Sequence, residues 1–74
     1  MLHVAILSGH HEMVEKILKK GGNPNSVDRK GNTGLHAAFI SDRDKIIDIL
    51  IGFGANQQIT NNAGKTPWNY LSPG

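Results

Sequence analysis

Leu35-His36-Ala37-Ala38 repeats the pattern of Leu2-His3-Val4-Ala5 at a spacing of about 33 residues, and that spacing constrains the fold more than any other feature. Gly54 follows Gly21 at the same interval, Gly64 follows Gly31, and Lys65-Thr66 follows Asn32-Thr33. Thr66-Pro67-Trp68 stands against Thr33-Gly34-Leu35. A fixed period of roughly 20–50 residues marks a stacked array, in which each unit buries its apolar face only against its neighbours. Such arrays are surfaces for contact and seldom carry catalysis themselves.

The chain has 74 residues, which allows one domain with a small core. There is no cysteine, so neither disulfides nor thiolate metal sites can stabilise it. This composition suits an intracellular, reducing setting, cytoplasmic or nuclear. No apolar run reaches membrane-spanning length, and Met1-Leu2-His3-Val4 lacks the charged start of a secretory signal. A net charge of +2 is too small to argue for nucleic acid by itself.

The periodicity places the helices. Leu2 to Ser8 reads as a short helix with Leu2, Ala5 and Ile6 on one face, broken by Gly9. Glu12 to Lys20 reads as its partner, with Met13, Val14, Ile17 and Leu18 forming one apolar stripe. Gly21-Gly22 ends it. The stripe is copied one period on as Ile46, Ile47, Leu50 and Ile51, in a helix starting at Asp42 or Asp44 and ending before Gly52 and Gly54. Between the pairs, Val27 to Asn32 reads as an extended finger turning at Gly31, and Thr33 as the cap of a helix from Gly34 to about Ile40. Asn61 to Lys65 reads as another finger, followed by Thr66-Pro67 as a helix start and a short helix from Trp68 to Leu71. The expected units are 1–27, 28–60 and 61–74.

These residues resemble the ankyrin repeat family. Gly31-Asn32-Thr33-Gly34-Leu35-His36-Ala37-Ala38 is similar to its G-x-T-P-L-H-x-A signature, with Gly34 in place of proline. Gly9-His10 resembles the Gly-His between paired helices, and Asp42-Arg43 departs from it. Gly21-Gly22-Asn23-Pro24-Asn25 and Gly54-Ala55-Asn56-Gln57-Gln58 resemble the loop that follows each pair, with Asn replacing its acidic residue. The resemblance covers nearly the whole chain. It implies an all-α fold, an ankyrin-repeat solenoid of helix-turn-helix pairs with short finger turns. It also implies that His3 and His36 hydrogen-bond between fingers and helices.

No catalytic, cofactor or metal site is expected. His10 and His11 are adjacent and aim apart, and no third ligand stands at zinc spacing. His10 is read as structural and His11 as facing solvent. The serines lack a nucleophile-elbow setting. The glycine pairs close helices, whereas phosphate-binding loops open them. Asn25 reads as a turn residue bonding its own backbone. Phe39 and Trp68 read as core. Phe39 is larger than the alanine usual at its position, which calls for a wider gap or a partly exposed ring.

What remains is protein recognition. The resemblance places contact residues on the fingertips and on the exposed end of the first helix of each pair. These are Arg29, Lys30 and Asn32 on one finger, Asn62, Ala63 and Lys65 on the next, and Leu7, Ser8, Ile40 and Ser41 at the helix ends. Ile40 is the sharpest, because a large aliphatic stands where the family has an exposed polar residue. It is either an anchor within a polar rim or partly buried under the next helix. The expected partner is another protein, with no nucleic acid and no membrane. The alternative is a structural segment, either a fragment of a longer array or a chain whose open repeat ends pair as a homodimer.

Overall fold

The computed structural model describes residues 2–71. Its helices are α1 (Leu2–Leu7), α2 (His11–Lys19), α3 (Gly34–Ile40) and α4 (Asp44–Gly52), followed by a 3-10 helix at Pro67–Tyr70. There is no strand among the described residues. The fold is the all-α solenoid expected. α1, α3 and the 3-10 helix stack as one layer, and α2 and α4 stack as a second. α1 packs on α2, and α3 on α4, so each pair is an antiparallel hairpin.

Burial follows the copied stripe except at Met13, which is 48% exposed where Ile46, one period later, is buried. Ile6, Val14, Leu35, Ile46 and Leu50 are fully buried in one core that both layers share. Each such side chain contributes about 1.5–3 kcal/mol by leaving water. Thr33 caps α3, its hydroxyl oxygen accepting from the backbone N–H of His36 at 3.4 Å. Each helix pair turns through one left-handed residue. In the first pair it is Gly9, with φ of 76°. In the second pair the same position holds Asp42, with φ of 57°, a strained conformation for any residue with a side chain. Arg43, one residue on, lays its guanidinium over Gly9, where an added Cβ would lie 2.9 Å from it. The departure from Gly-His in the second unit thus places a guanidinium against the first unit's turn, where Arg43 Nη2 donates to the Leu7 carbonyl at 3.4 Å.

Gly34 also has a packing reason. A Cβ there would stand 3.0 Å from the Cδ1 of buried Ile6. Any side chain at this position would crowd Ile6, and glycine makes room for it.

Four expectations change here, at Trp68, Asn25, His10 and His11. Trp68 is not core: it is 47% exposed. Phe39 is the buried partner, only 5% exposed, because Trp68 covers it with ring centroids 4.9 Å apart. The enlarged side chain is therefore accommodated by the neighbouring aromatic. Asn25 does not bond its own backbone. Its Oδ1 accepts from the Asn56 N–H in the next loop at 2.6 Å, and Asn23 makes the local turn by accepting from the Asn25 N–H at 2.9 Å. His10 is exposed and its side chain caps nothing, while His11 is half-buried.

Candidate interaction surface

The fingers stand beside the first helices because two histidines tie them there. His3 Nε2 donates to the Asn32 carbonyl at 2.7 Å, and His36 Nε2 donates to the Lys65 carbonyl at 2.8 Å. Both bonds span 29 residues, one unit to the next finger. His36 is fully buried, and its Nδ1 accepts from the Thr33 N–H at 3.0 Å and the Thr33 hydroxyl at 2.9 Å. With Nδ1 accepting and Nε2 donating, the ring is the neutral Nε2–H tautomer. Asn69 copies half of this arrangement, its Oδ1 accepting from the Thr66 N–H at 2.8 Å.

Each finger closes on itself. Asp28 N–H donates to the Asn32 carbonyl at 3.0 Å, and Asn61 N–H to the Lys65 carbonyl at 2.9 Å. Asp28 Oδ1 accepts from the N–H groups of Lys30 and Asn32, both at 2.9 Å. Partial burial works against ionisation of Asp28, but these backbone N–H groups outweigh it and hold the carboxyl below the usual aspartate range. Asn61 stands in the same place on the third unit and likewise accepts two backbone N–H bonds. As an amide it also has donors. These go to Asn32 Oδ1 at 2.8 Å and to the Tyr70 hydroxyl at 2.9 Å, which docks the 3-10 helix against the finger row. Tyr70 meets His36 edge-on, with centroids 6.1 Å apart. The fingers also hold one another, since Asn62 N–H donates to the Lys30 carbonyl at 2.9 Å and Asn62 Nδ2 to the Arg29 carbonyl at 3.2 Å.

The result is a groove between fingers and first helices. Its first half is lined by His3, Leu7, Asp28, Arg29, Lys30, Asn32, Ala37 and Ile40. Its second half shares Arg29, Lys30, Asn32 and Ile40 and adds Asn61, Asn62, Ala63 and Tyr70. Seven of the ten sequence-chosen positions line it: Leu7, Arg29, Lys30, Asn32, Ile40, Asn62 and Ala63. Ser8, Ser41 and Lys65 do not, although Lys65 supplies its carbonyl to His36. Ile40 is 51% exposed and Leu7 53% exposed. The sequence-chosen set lacked Asp28, Ala37, Asn61 and Tyr70, and His3 had been read as structural. The signal for Tyr70 was its place one period after Ala37, a groove-lining position.

Among the described residues, no group of three or more His, Asp or Glu side chains could hold a metal ion. No helix among them is long and apolar enough to cross a membrane.

Paired helices stacked in two layers, with fingers anchored by histidines, define a helical repeat array. The chain belongs to the ankyrin repeat family: a family model of ankyrin repeats in three copies matches residues 2–72. It is 35% identical over 71 residues to an ankyrin repeat protein of Acanthamoeba polyphaga mimivirus, covering 96% of this chain and 17% of the relative. It is 36% identical over 72 residues to human protein phosphatase 1 regulatory subunit 27, covering 97% and 47%. It is 44% identical over 50 residues to the chicken nuclear factor NF-kappa-B p105 subunit, covering 68% and 5%. The chain thus spans less than half the length of each. Ankyrin repeats are generally non-catalytic protein-interaction modules.

Proposed function

We propose that this chain is a non-catalytic recognition module that binds another protein, in an intracellular setting, through the groove between its fingers and first helices. The observation that carries the reading is Ile40. It is a large aliphatic half in solvent, lining both halves of the groove beside Arg29, Lys30 and Asn32. An exposed apolar anchor within a polar rim is the anatomy of a binding hot spot. The backbone around it is fixed by finger-to-finger and histidine bonds, so binding orders little main chain and costs less entropy. The test compares binders of the unaltered chain with Ile40→Asp and with joint Arg29 and Lys30→Ala. Both variants should keep the helical circular dichroism spectrum and lose binding by about tenfold or more, as a hot spot worth upward of about 1.4 kcal/mol requires. Equal binding would place the interface elsewhere.

A second reading, association through the open repeat ends, rests on the other end of the stack. Val4 is 59% exposed and Met13 48% exposed, whereas Ala37 and Ile46, one period later, are buried against the preceding unit. A second copy or a further repeat on this face would bury them. A thermal midpoint that rises with protein concentration supports pairing of copies. A midpoint independent of concentration removes it.

A further inference from the structure

The groove's chemistry narrows the partner that the recognition reading leaves open. Resting on that reading, we infer that the groove takes an acidic peptide segment, in which a carboxylate lies close to a large apolar side chain. Three observations converge on this occupant.

The first is that the Arg29–Asn32 finger spends much of its acceptor capacity inside the chain. The carbonyls of Arg29, Lys30 and Asn32 all accept hydrogen bonds from within the chain, as does Asn32 Oδ1. The one carboxylate lining the groove, Asp28, is engaged through Oδ1 by two backbone N–H groups of its own finger. The second is that the donors are free. Arg29 and Lys30 are exposed, and the ion pair seen among the described residues is Lys19–Glu15, elsewhere on α2. Asn32 Nδ2 makes no bond to another described residue, and it is not sealed from solvent. A guanidinium, an ammonium and an amide donor on one finger suit a carboxylate, which accepts charge-assisted bonds at both oxygens. The third is the apolar floor of Leu7 and Ile40 beside those donors, which has room for an aliphatic or aromatic anchor. Nucleic acid fits less well. Of the groove's two aromatic rings, the His3 imidazole is tied to the Asn32 carbonyl, and Tyr70 has its hydroxyl held by Asn61 and its ring against His36, so successive bases find no free stacking platform.

The experiment pans a randomised phage-displayed peptide library against the 74-residue chain. Enriched peptides are then remeasured as fluorescein-labelled synthetic probes by anisotropy. The expected pool carries Asp or Glu near Leu, Ile, Phe or Trp. Ile40→Asp and the pair Arg29→Glu with Lys30→Glu should each weaken binding about tenfold or more, and added salt should weaken it further. Probes with Lys replacing the acidic residue should prefer the charge-reversed variant. Uncharged or basic peptides that Ile40→Asp abolishes but charge reversal leaves alone overturn the inference and leave the recognition reading standing. Peptides that neither variant affects overturn both. An unenriched library, or a single-stranded oligonucleotide that displaces the acidic probes at equal concentration, overturns the inference.

Discussion

Replacing His36 by alanine removes the bond that fixes a finger and the imidazole's half of the capping box that starts α3, and the two can be measured apart. Thr33 is 1% exposed, so losing Nδ1 leaves its N–H without water or partner, at about 1–3 kcal/mol. Losing Nε2 removes one of the two hydrogen bonds to the part-buried Lys65 carbonyl, which keeps that from the Asn61 N–H, at about 1 kcal/mol. The lost packing of a fully buried ring adds about 1 kcal/mol. His36→Ala should therefore cost about 3–5 kcal/mol. A 74-residue domain has about 4–11 kcal/mol in total, so the variant should be close to unfolding. Asn69 shows what an asparagine does at this position: its Oδ1 accepts from the Thr66 N–H, as the His36 Nδ1 does from Thr33, on a side chain shorter than histidine's. His36→Asn should accordingly recover about 1–3 kcal/mol of the loss. His3→Ala, at a half-buried histidine with one finger bond, should cost about 0.5–1.5 kcal/mol. Urea unfolding followed by circular dichroism measures all three, with an unchanged m-value as the check on two-state behaviour. Equal stability of His36→Ala and His36→Asn, or a loss under about 1 kcal/mol for His36→Ala, would refute the reasoning.

Trp68→Ala should cost about 1.5–2.5 kcal/mol, half the usual range for a buried aromatic, because the ring is half-exposed yet covers Phe39; a thermal melt showing no loss would mean the 3-10 helix is undocked. Asp42→Gly should stabilise by about 0.5–1 kcal/mol by relieving the left-handed strain, read as a raised urea midpoint. Asp28 ionises more readily folded than unfolded, so its stabilisation is complete above the ordinary aspartate range and is lost as pH falls through its lowered folded value. Asp28→Asn, which Asn61 shows can close the same turn, should flatten the acid limb of a stability-against-pH curve; an unaltered limb would assign the acid loss to other groups.

The helices were legible because burial in a helix is local and periodic. Ile46, Ile47 and Leu50 sit one period after Met13, Val14 and Ile17, and a repeated stripe implies a repeated packing partner. The same logic failed at Trp68. Its position matches Leu35, but Leu35 is covered on both sides, whereas no second helix pairs with the 3-10 helix among the described residues. Equivalence of position is equivalence of burial only when the neighbours are equivalent. Asn25 was misread for a related reason: its partner lies 31 residues away, and only the spacing between stacked loops brings the Asn56 N–H to it. The groove was half legible. Fingertip and helix-end positions follow from the period, but Asn61 and Tyr70 enter through a hydrogen bond that depends on an amide replacing the finger's carboxylate.

The most direct test of recognition through the groove is to map where a bound partner sits. Nitrogen-15 labelled chain, titrated with any binder that survives selection, reports the footprint as shifted backbone amide resonances. Shifts should cluster at Leu7, Arg29, Lys30, Asn32, Ile40, Asn62 and Tyr70, with the α2 and α4 amides of Lys16, Lys19, Lys45 and Asp48 unmoved. A footprint on α2 and α4, with Ile40 and its finger neighbours unshifted, would contradict binding in the groove.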